Sequence, residues 1–213
     1  MSDYYKKYMK YKRKYVNLKA GKFEYLHKQK EPVPIYPYFI KILDKYFDRL
    51  DDLSVLEVGI GNGLKSISRS KLFGSYVGLE PDDKLFEIST ENCDRVKCKI
   101  ELVHSDIDGY RTDEKYDLVI LENVFHFLDP DDSLDKLIGL LRPNGVVFVD
   151  EPKAIPKRCG NSELNEYSDQ FNPEKWEKKK TMLLRAKEFL MKKGTHYNLD
   201  MKDVYVIQHN KQS

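Results

Sequence analysis

The sequence predicts an α/β fold: a seven-stranded, mostly parallel sheet with helices on both faces and an antiparallel hairpin at its C-terminal end. Three observations carry that expectation. Short runs rich in Val, Ile and Leu recur between stretches of helical pattern. The runs lack clean alternation, as strands buried on both faces do. A glycine-rich turn, VLEVGIGNG at residues 55–63, follows directly on the first of them.

The elements can be taken in order. The leader, 1–30, reads as a basic helix, because Tyr4, Tyr8, Tyr11, Tyr15 and Leu18 recur at helical steps on one face. Gly21 is placed to end it, and Pro32, Pro34 and Pro37 break the chain beyond. A helix is expected over about 38–50, with Phe39, Ile42, Leu43, Tyr46 and Phe47 turned inward. Strands are expected at 53–58, 75–80, 99–104, 116–122 and 145–150, and helices at about 64–72, 83–91 and 131–141. The link 106–116 is too short for a full helix. Residues 151–173 are polar and irregular, and a long helix over about 174–193 stops at Gly194. The end reads as two strands joined by a tight turn near 200–203. The leader 1–30 is thus followed by one domain over 31–213.

With 40% hydrophobic and 34% charged residues, the 213-residue chain suits a globular protein with a charged surface. No apolar run approaches the roughly 20 residues of a membrane-spanning helix, and the basic N-terminus lacks the apolar segment of a secretory signal. The expected location is cytoplasmic. Cys93, Cys98 and Cys159 are odd in number and not at metal-ligand spacing, so reduced thiols and no metal are expected. The net charge of +2 conceals an asymmetry. Residues 1–30 hold ten basic and two acidic residues, the remainder 27 and 33. A leader of that kind could dock on its own domain, stay solvated, or contact nucleic acid or an anionic membrane.

A strand, a glycine turn and a helix can hold a ligand at the strand ends. Dinucleotide binders show G-x-G-x-x-G; here Gly59 and Gly61 fit, but Leu64 takes the third place and the glycines run 59, 61, 63. Glu80 ends the second strand 17 residues after Gly63 and could accept both hydroxyls of a ribose. Asp106 and Ile107 follow the third strand, suited to an adenine amino group and ring. Glu122 ends the fourth strand, where a cationic amino-acid moiety could be held. These positions describe an adenosine with a zwitterionic tail and no phosphate.

Here the chain resembles the class I S-adenosylmethionine-dependent methyltransferases, of the small, compact, Rossmann-like kind. The likeness rests on Glu57-Val-Gly59-Ile-Gly61-Asn-Gly63, the acidic end at Glu80, His104-Ser-Asp106-Ile107, the stretch from Tyr116 through Glu122 to His126, and Leu141-Arg-Pro-Asn-Gly145. It covers about 50–150 and extends to the final hairpin. The resemblance implies S-adenosyl-L-methionine as cofactor. Gly59, Gly61 and Gly63 would lie near the methionine part, Glu80 with Pro81 at the ribose, Asp106 and Ile107 at the adenine, and Glu57 and Glu122 near the amino group. The leader is similar to N-terminal segments of many giant DNA virus proteins, which implies host cytoplasm or virion as the setting.

Methyl transfer needs a nucleophile aligned with the S–CH3 bond and, where a proton leaves, a base. His126 and Glu151 are the catalytic candidates, and His126 could equally shape the pocket wall. Tyr36, Tyr38, Phe125 and Phe127 could floor the acceptor site or be core. The [Asn/Asp]-Pro-Pro-[Tyr/Phe] motif of base and glutamine methylation is absent from 122–125, and Glu122 stands where ribose methylation needs an Asp. A hydroxyl or amine of a small molecule or sugar is the expected acceptor, with protein or RNA next. An aminopropyltransferase or a non-catalytic binder of the same cofactor is the alternative.

Overall fold

The computed structural model describes residues 31–153, 173–199 and 202–209. The expectations for the leader, for Cys159 and for the turn at 200–201 lie outside these residues. The chain forms two compact units, dividing after Asp113.

In the first unit, helix α1 (Pro37–Leu43) starts with its proline in the first turn, where the missing N–H costs nothing, and buries Phe39, Ile42 and Leu43. It is shorter than the expected 38–50. Lys45 and Tyr46 make i→i+3 bonds back to Ile42 and Leu43, so the helix tightens and ends as Asp44 and Asp48, weak helix formers, enter. Strands β1 (Ser54–Val58) and β2 (Ser75–Leu79) pair in parallel from Ser54↔Ser75 to Val58↔Leu79. Between them run α2 (Leu64–Arg69) and a 3-10 turn, Ser70–Leu72. Helix α3 (Asp83–Val96) is capped by Asp82, whose side chain accepts from the Leu85 N–H, and continues beyond the expected 91 because Asn92 and Cys93 extend its buried face. The short β3 (Glu101–Val103) is parallel to β2.

In the second unit, β4 (Tyr116–Glu122) lies parallel to β5 (Leu141–Pro152), with α4 (Pro130–Gly139) between them. Leu118 to Leu121 and Val146 to Val149 are fully buried, as expected of strands covered on both faces. Helix α5 (Pro173–Lys193) leads to β6 (Thr195–Asn198) and β7 (Lys202–Gln208). Strand β7 runs antiparallel to both β5 and β6, which is the expected hairpin. The strand order is β3-β2-β1-β4-β5-β7-β6, the seven-stranded, mostly parallel sheet anticipated from sequence.

One expectation is overturned. Cys93 and Cys98, read as reduced thiols, form a disulfide with Cα atoms 5.0 Å apart. The end of α3 explains the pairing. Lys97 takes a left-handed conformation (φ 52°), and the Cys98 N–H returns to the Cys93 carbonyl at 3.0 Å. That cap brings together the side chains at these two positions, where an apolar contact usually forms. Closing so short a loop stabilises by about 2 kcal/mol in the chain-entropy picture. Reduction, or Cys98→Ser, should therefore lower the melting temperature by roughly 5 °C. Alkylation of the unreduced, denatured chain should leave Cys93 and Cys98 unlabelled; labelling of both would contradict the bond.

Candidate functional site

The glycine turn of the first unit is held entirely from within. The N–H groups of Gly59 and Ile60 both donate to the Leu79 carbonyl, at 2.8 and 3.0 Å, and that of Gly63 to the Ile60 carbonyl at 3.1 Å. The Gly61 N–H donates to Glu80 Oε2 at 2.9 Å, while the Asp82 N–H donates to Glu80 Oε1 at the same distance. The Leu64 N–H meets Asn62 Oδ1 at 3.4 Å, and Asn92 ties α3 to the turn through the Asn62 carbonyl. Gly59, Gly61 and Gly63 all have φ between 63° and 76°, the left-handed region. A Cβ on Gly63 would also lie 3.1 Å from Ser89 Cβ, whereas one on Gly61 would meet nothing within 4 Å. Gly61 is therefore required by conformation, and its open side leaves room for a ligand to approach the backbone.

Glu80 is 4% exposed at the end of β2, and its own N–H is bonded to the Val103 carbonyl at 3.1 Å. Pro81 is half-buried between β2 and α3. After β3, Asp106 accepts from the Gly109 N–H at 2.6 Å and starts a turn that closes with Tyr110 N–H on the Asp106 carbonyl. Ile107 is fully buried inside that turn. His104 stacks on Phe86 with centroids 4.7 Å apart and reaches Asp83 at 3.2 Å.

Glu57 is engaged elsewhere than the sequence suggests. Its Oε1 accepts from Arg69 at 2.7 Å and its Oε2 from the Tyr76 hydroxyl at 2.5 Å, all three residues being buried. The Arg69 guanidinium also lies 4.8 Å from the Phe39 ring centroid. This triad joins α1, α2, β1 and β2. Neither Arg69 nor Tyr76 carried a sequence signal, because they reach Glu57 from 12 and 19 residues away.

The second unit has its own cluster at the carboxyl ends of β4 and β5. Lys202 donates to Asn123 Oδ1 at 2.8 Å and lies 3.0 Å from Asp150 and 3.7 Å from Glu122. Glu122, expected beside a ligand's amino group, thus already faces an ammonium of the chain itself. Asn123 adopts φ 56°, and its N–H donates to the Asp150 carbonyl at 2.8 Å. In the 3-10 turn Phe125–Phe127, the two catalytic candidates meet. His126 Nδ1 is 2.6 Å from Glu151 Oε2, and the His126 N–H donates to Glu151 Oε1 at 3.3 Å. Phe125 is fully buried and stacks on Phe189. Further along, Asp203 bridges Lys187 at 2.6 Å and His196 at 3.0 Å. Burial pushes the Asp203 carboxyl up, but the hydrogen bonds and charges of Lys187 and His196 outweigh it and hold it below the usual range. Burial, with the charges of Asp203 and Glu151, pushes the Tyr205 phenol up. Among the described residues no group of His, Cys, Asp and Glu could hold a metal, and no helix is long and apolar enough to cross a membrane.

Residues 55–145 match the model of a family described as methyltransferase domain. The ubiquinone biosynthesis O-methyltransferase of Pelagibacter ubique is 28% identical over 137 residues, 61% of this chain and 56% of that protein. The chain therefore spans about half the length of the curated relatives it matches. Among solved structures, a methyltransferase from Pyrococcus furiosus aligns with TM-score 0.53 at 16% identity, covering 84% of this chain and 88% of that one. The N-methyltransferase NodS from Bradyrhizobium japonicum, in complex with S-adenosyl-L-homocysteine, aligns with TM-score 0.52 at 14% identity, over 89% of this chain and 97% of that one. The fold is that of the Rossmann-like methyltransferases.

Two outcomes follow from the charges. Arg69→Ala strands a buried Glu57 carboxylate and should cost about 3–5 kcal/mol in chemical denaturation; a loss under 1 kcal/mol would mean the pair is not buried. Asp203, depressed in the folded state, adds stability above the unfolded carboxyl value of roughly 3.9, and that stability is lost as pH falls through the lower folded value. Asp203→Asn should be less stable than wild type at pH 7, and the gap should narrow below about pH 4; a gap that does not change with pH would contradict the assignment.

Proposed function

We propose that this chain is an S-adenosyl-L-methionine-dependent methyltransferase and that the first unit supplies the donor's nucleoside site. The observation that carries the reading is where the turn's amide protons go. A pyrophosphate needs glycine-loop N–H groups aimed outward. Here the N–H groups of Gly59, Ile60, Gly61 and Gly63 all have acceptors within the unit, and the acceptor for Gly61 is a carboxylate. A carboxylate in that position repels phosphate and suits a neutral ribose.

Glu80 would hold the ribose hydroxyls, with Pro81 beside them. Asp106 and Ile107 would border the adenine, and Gly59, Gly61 and Gly63 would let the amino-acid tail lie against bare backbone. Glu57 and Glu122 are the remaining proposed contacts. Glu57 would act through the strand it anchors, and Glu122 jointly with Lys202. When bound, the donor supplies a methyl group already activated by its sulfonium; the protein aligns the acceptor and excludes water.

The proposed acceptor is a hydroxyl or amine on a small molecule. The relative named for ubiquinone biosynthesis supports an oxygen acceptor, and its partial overlap makes its substrate a guide to class alone. Labelled donor incubated with extract fractions should label a metabolite fraction; label confined to protein or RNA would redirect the proposal. Calorimetry should show S-adenosyl-L-homocysteine binding and no NAD binding. Glu80→Ala should weaken that binding at least tenfold, from loss of charged hydrogen bonds worth about 1.5–3 kcal/mol. Unchanged affinity would remove Glu80 from the ribose site.

A further inference from the structure

We propose that the Cys93–Cys98 disulfide is a redox switch on the donor site of the first unit; this rests on the methyltransferase reading above. The oxidised bond holds the last turn of α3 against the glycine turn, and a dithiol releases it. Ser89, Asn92 and Cys93 share the buried face of the helix. Ser89 Cβ lies 3.1 Å from where a Cβ on Gly63 would stand. Asn92 Nδ2 donates to the Asn62 carbonyl at 3.0 Å, and Asn92 Oδ1 accepts from Arg95 at 3.1 Å. Asn92 thus carries a hydrogen bond from α3 to the turn, one residue before Cys93. The other half of the bond leads toward β3. Two residues beyond Cys98, Ile100 shares the space over Gly78 with Ile60 of the glycine turn: a Cβ on Gly78 would meet Ile60 Cγ2 at 2.9 Å and Ile100 Cγ2 at 3.4 Å. The disulfide therefore joins two segments that both bear on the turn or its support.

The helix end needs that bond. Lys97 lacks glycine's freedom yet sits at φ 52°. Its cap rests on two main-chain bonds, from the Lys97 N–H to the Asp94 carbonyl at 3.2 Å and from the Cys98 N–H to the Cys93 carbonyl at 3.0 Å. With the disulfide open, Lys97 is free to return to an ordinary conformation, and the last turn of α3 frays from its end. Fraying that reaches Asn92 releases the Asn62 carbonyl and loosens the turn from Gly61 to Gly63. A donor that binds the held turn then loses affinity in proportion to the fraction still held. The bond is also open to exchange. Cys93 is 7% exposed, whereas Cys98 is half-buried between the exposed Lys97 and Lys99, whose charges draw an anionic thiolate. In the step, one thiolate of a dithiol attacks the Cys98 sulfur. A mixed disulfide forms as the Cys93–Cys98 bond breaks, and the bonding pair leaves on Cys93, which takes a proton from water. The reagent's second thiolate then attacks its own first sulfur, closes a cyclic disulfide and expels Cys98, which is protonated in turn. The protein gains two electrons and two protons, and the dithiol gives up both.

The test uses the full chain, with S-adenosyl-L-homocysteine as the probe and dithiothreitol as the dithiol. In calorimetry, reduction should raise the Kd roughly threefold or more, and reoxidation should restore it. Cys98→Ser should show the weaker affinity with and without dithiothreitol. Hydrogen exchange supplies a readout that needs no ligand. On reduction the Gly61 and Gly63 N–H groups should exchange roughly threefold faster or more, while that of Leu56 in β1 keeps its rate. Equal affinity and equal exchange in the two redox states overturn the proposal. So does a Cys98→Ser protein that is merely less heat-stable and binds like the oxidised wild type, because the bond is then only a staple. A Cys98→Ser protein whose affinity still responds to dithiothreitol also overturns it, since another cysteine would carry the response. Absence of binding by the oxidised wild type, with the exchange response intact, overturns the methyltransferase reading and upholds the coupling between the bond and the turn.

Discussion

The first unit depends on one carboxylate receiving two backbone N–H groups. Glu80 sits where β2 ends, and it draws in Gly61 from one side and Asp82 from the other, each at 2.9 Å. Bonds to a charged acceptor contribute roughly 1.5–3 kcal/mol apiece. They also fix geometry: Gly61 locates the turn after β1, and Asp82 in turn caps α3 through the Leu85 N–H. Strand end, turn and helix start are thereby one assembly. The three left-handed glycines are the conformational condition for it. Its chemical consequence is a strand end that presents a carboxylate acceptor where a phosphate site would present amide donors.

The second unit solves a different problem, how to keep ionisable groups at buried strand ends. Unpaired, each would carry a penalty of several kcal/mol. Glu122 and Asp150 share Lys202, Glu151 takes His126, and Asp203 takes Lys187 and His196. Lys187 also donates to the Lys153 carbonyl at 2.9 Å, which ties α5 to the chain just beyond β5. The antiparallel register of β5 and β7 sets Lys202 opposite Pro152, two residues along from Asp150, and sets Asp203 opposite Glu151, so those two carboxylates take their partners from other elements: Lys187 and His196 for Asp203, His126 for Glu151. The hairpin thus returns β7 so that its first residue, Lys202, reaches the carboxylates at the ends of β4 and β5.

Much of this was legible in the sequence, and the limits have physical reasons. Glycine spacing and the acidic residue at 80 are local signals, so the turn and Glu80 could be read directly. The strands were found because burial on both faces leaves continuous apolar runs. Helix boundaries were less certain. Tyr46 and Phe47 continue the apolar period of α1, but the Lys45 and Tyr46 N–H groups already bond three residues back, to Ile42 and Leu43. What could not be read was pairing at a distance. Lys202 meets Asn123 across 79 residues, and Arg69 claims Glu57 across a helix. Nor could Cys93 and Cys98 be read as a disulfide from their number and spacing, since the contact depends on Lys97 turning left-handed.

The central claim is that Glu80 accepts from a ribose at the end of β2 while continuing to hold the glycine turn. A crystal structure of the full chain with S-adenosyl-L-homocysteine tests it most directly. The account predicts both ribose hydroxyls within hydrogen-bond distance of the Glu80 carboxylate, with the Gly61 N–H still bonded to it. A nucleoside bound away from Glu80, or a phosphate-bearing cofactor seated on the turn, would contradict it.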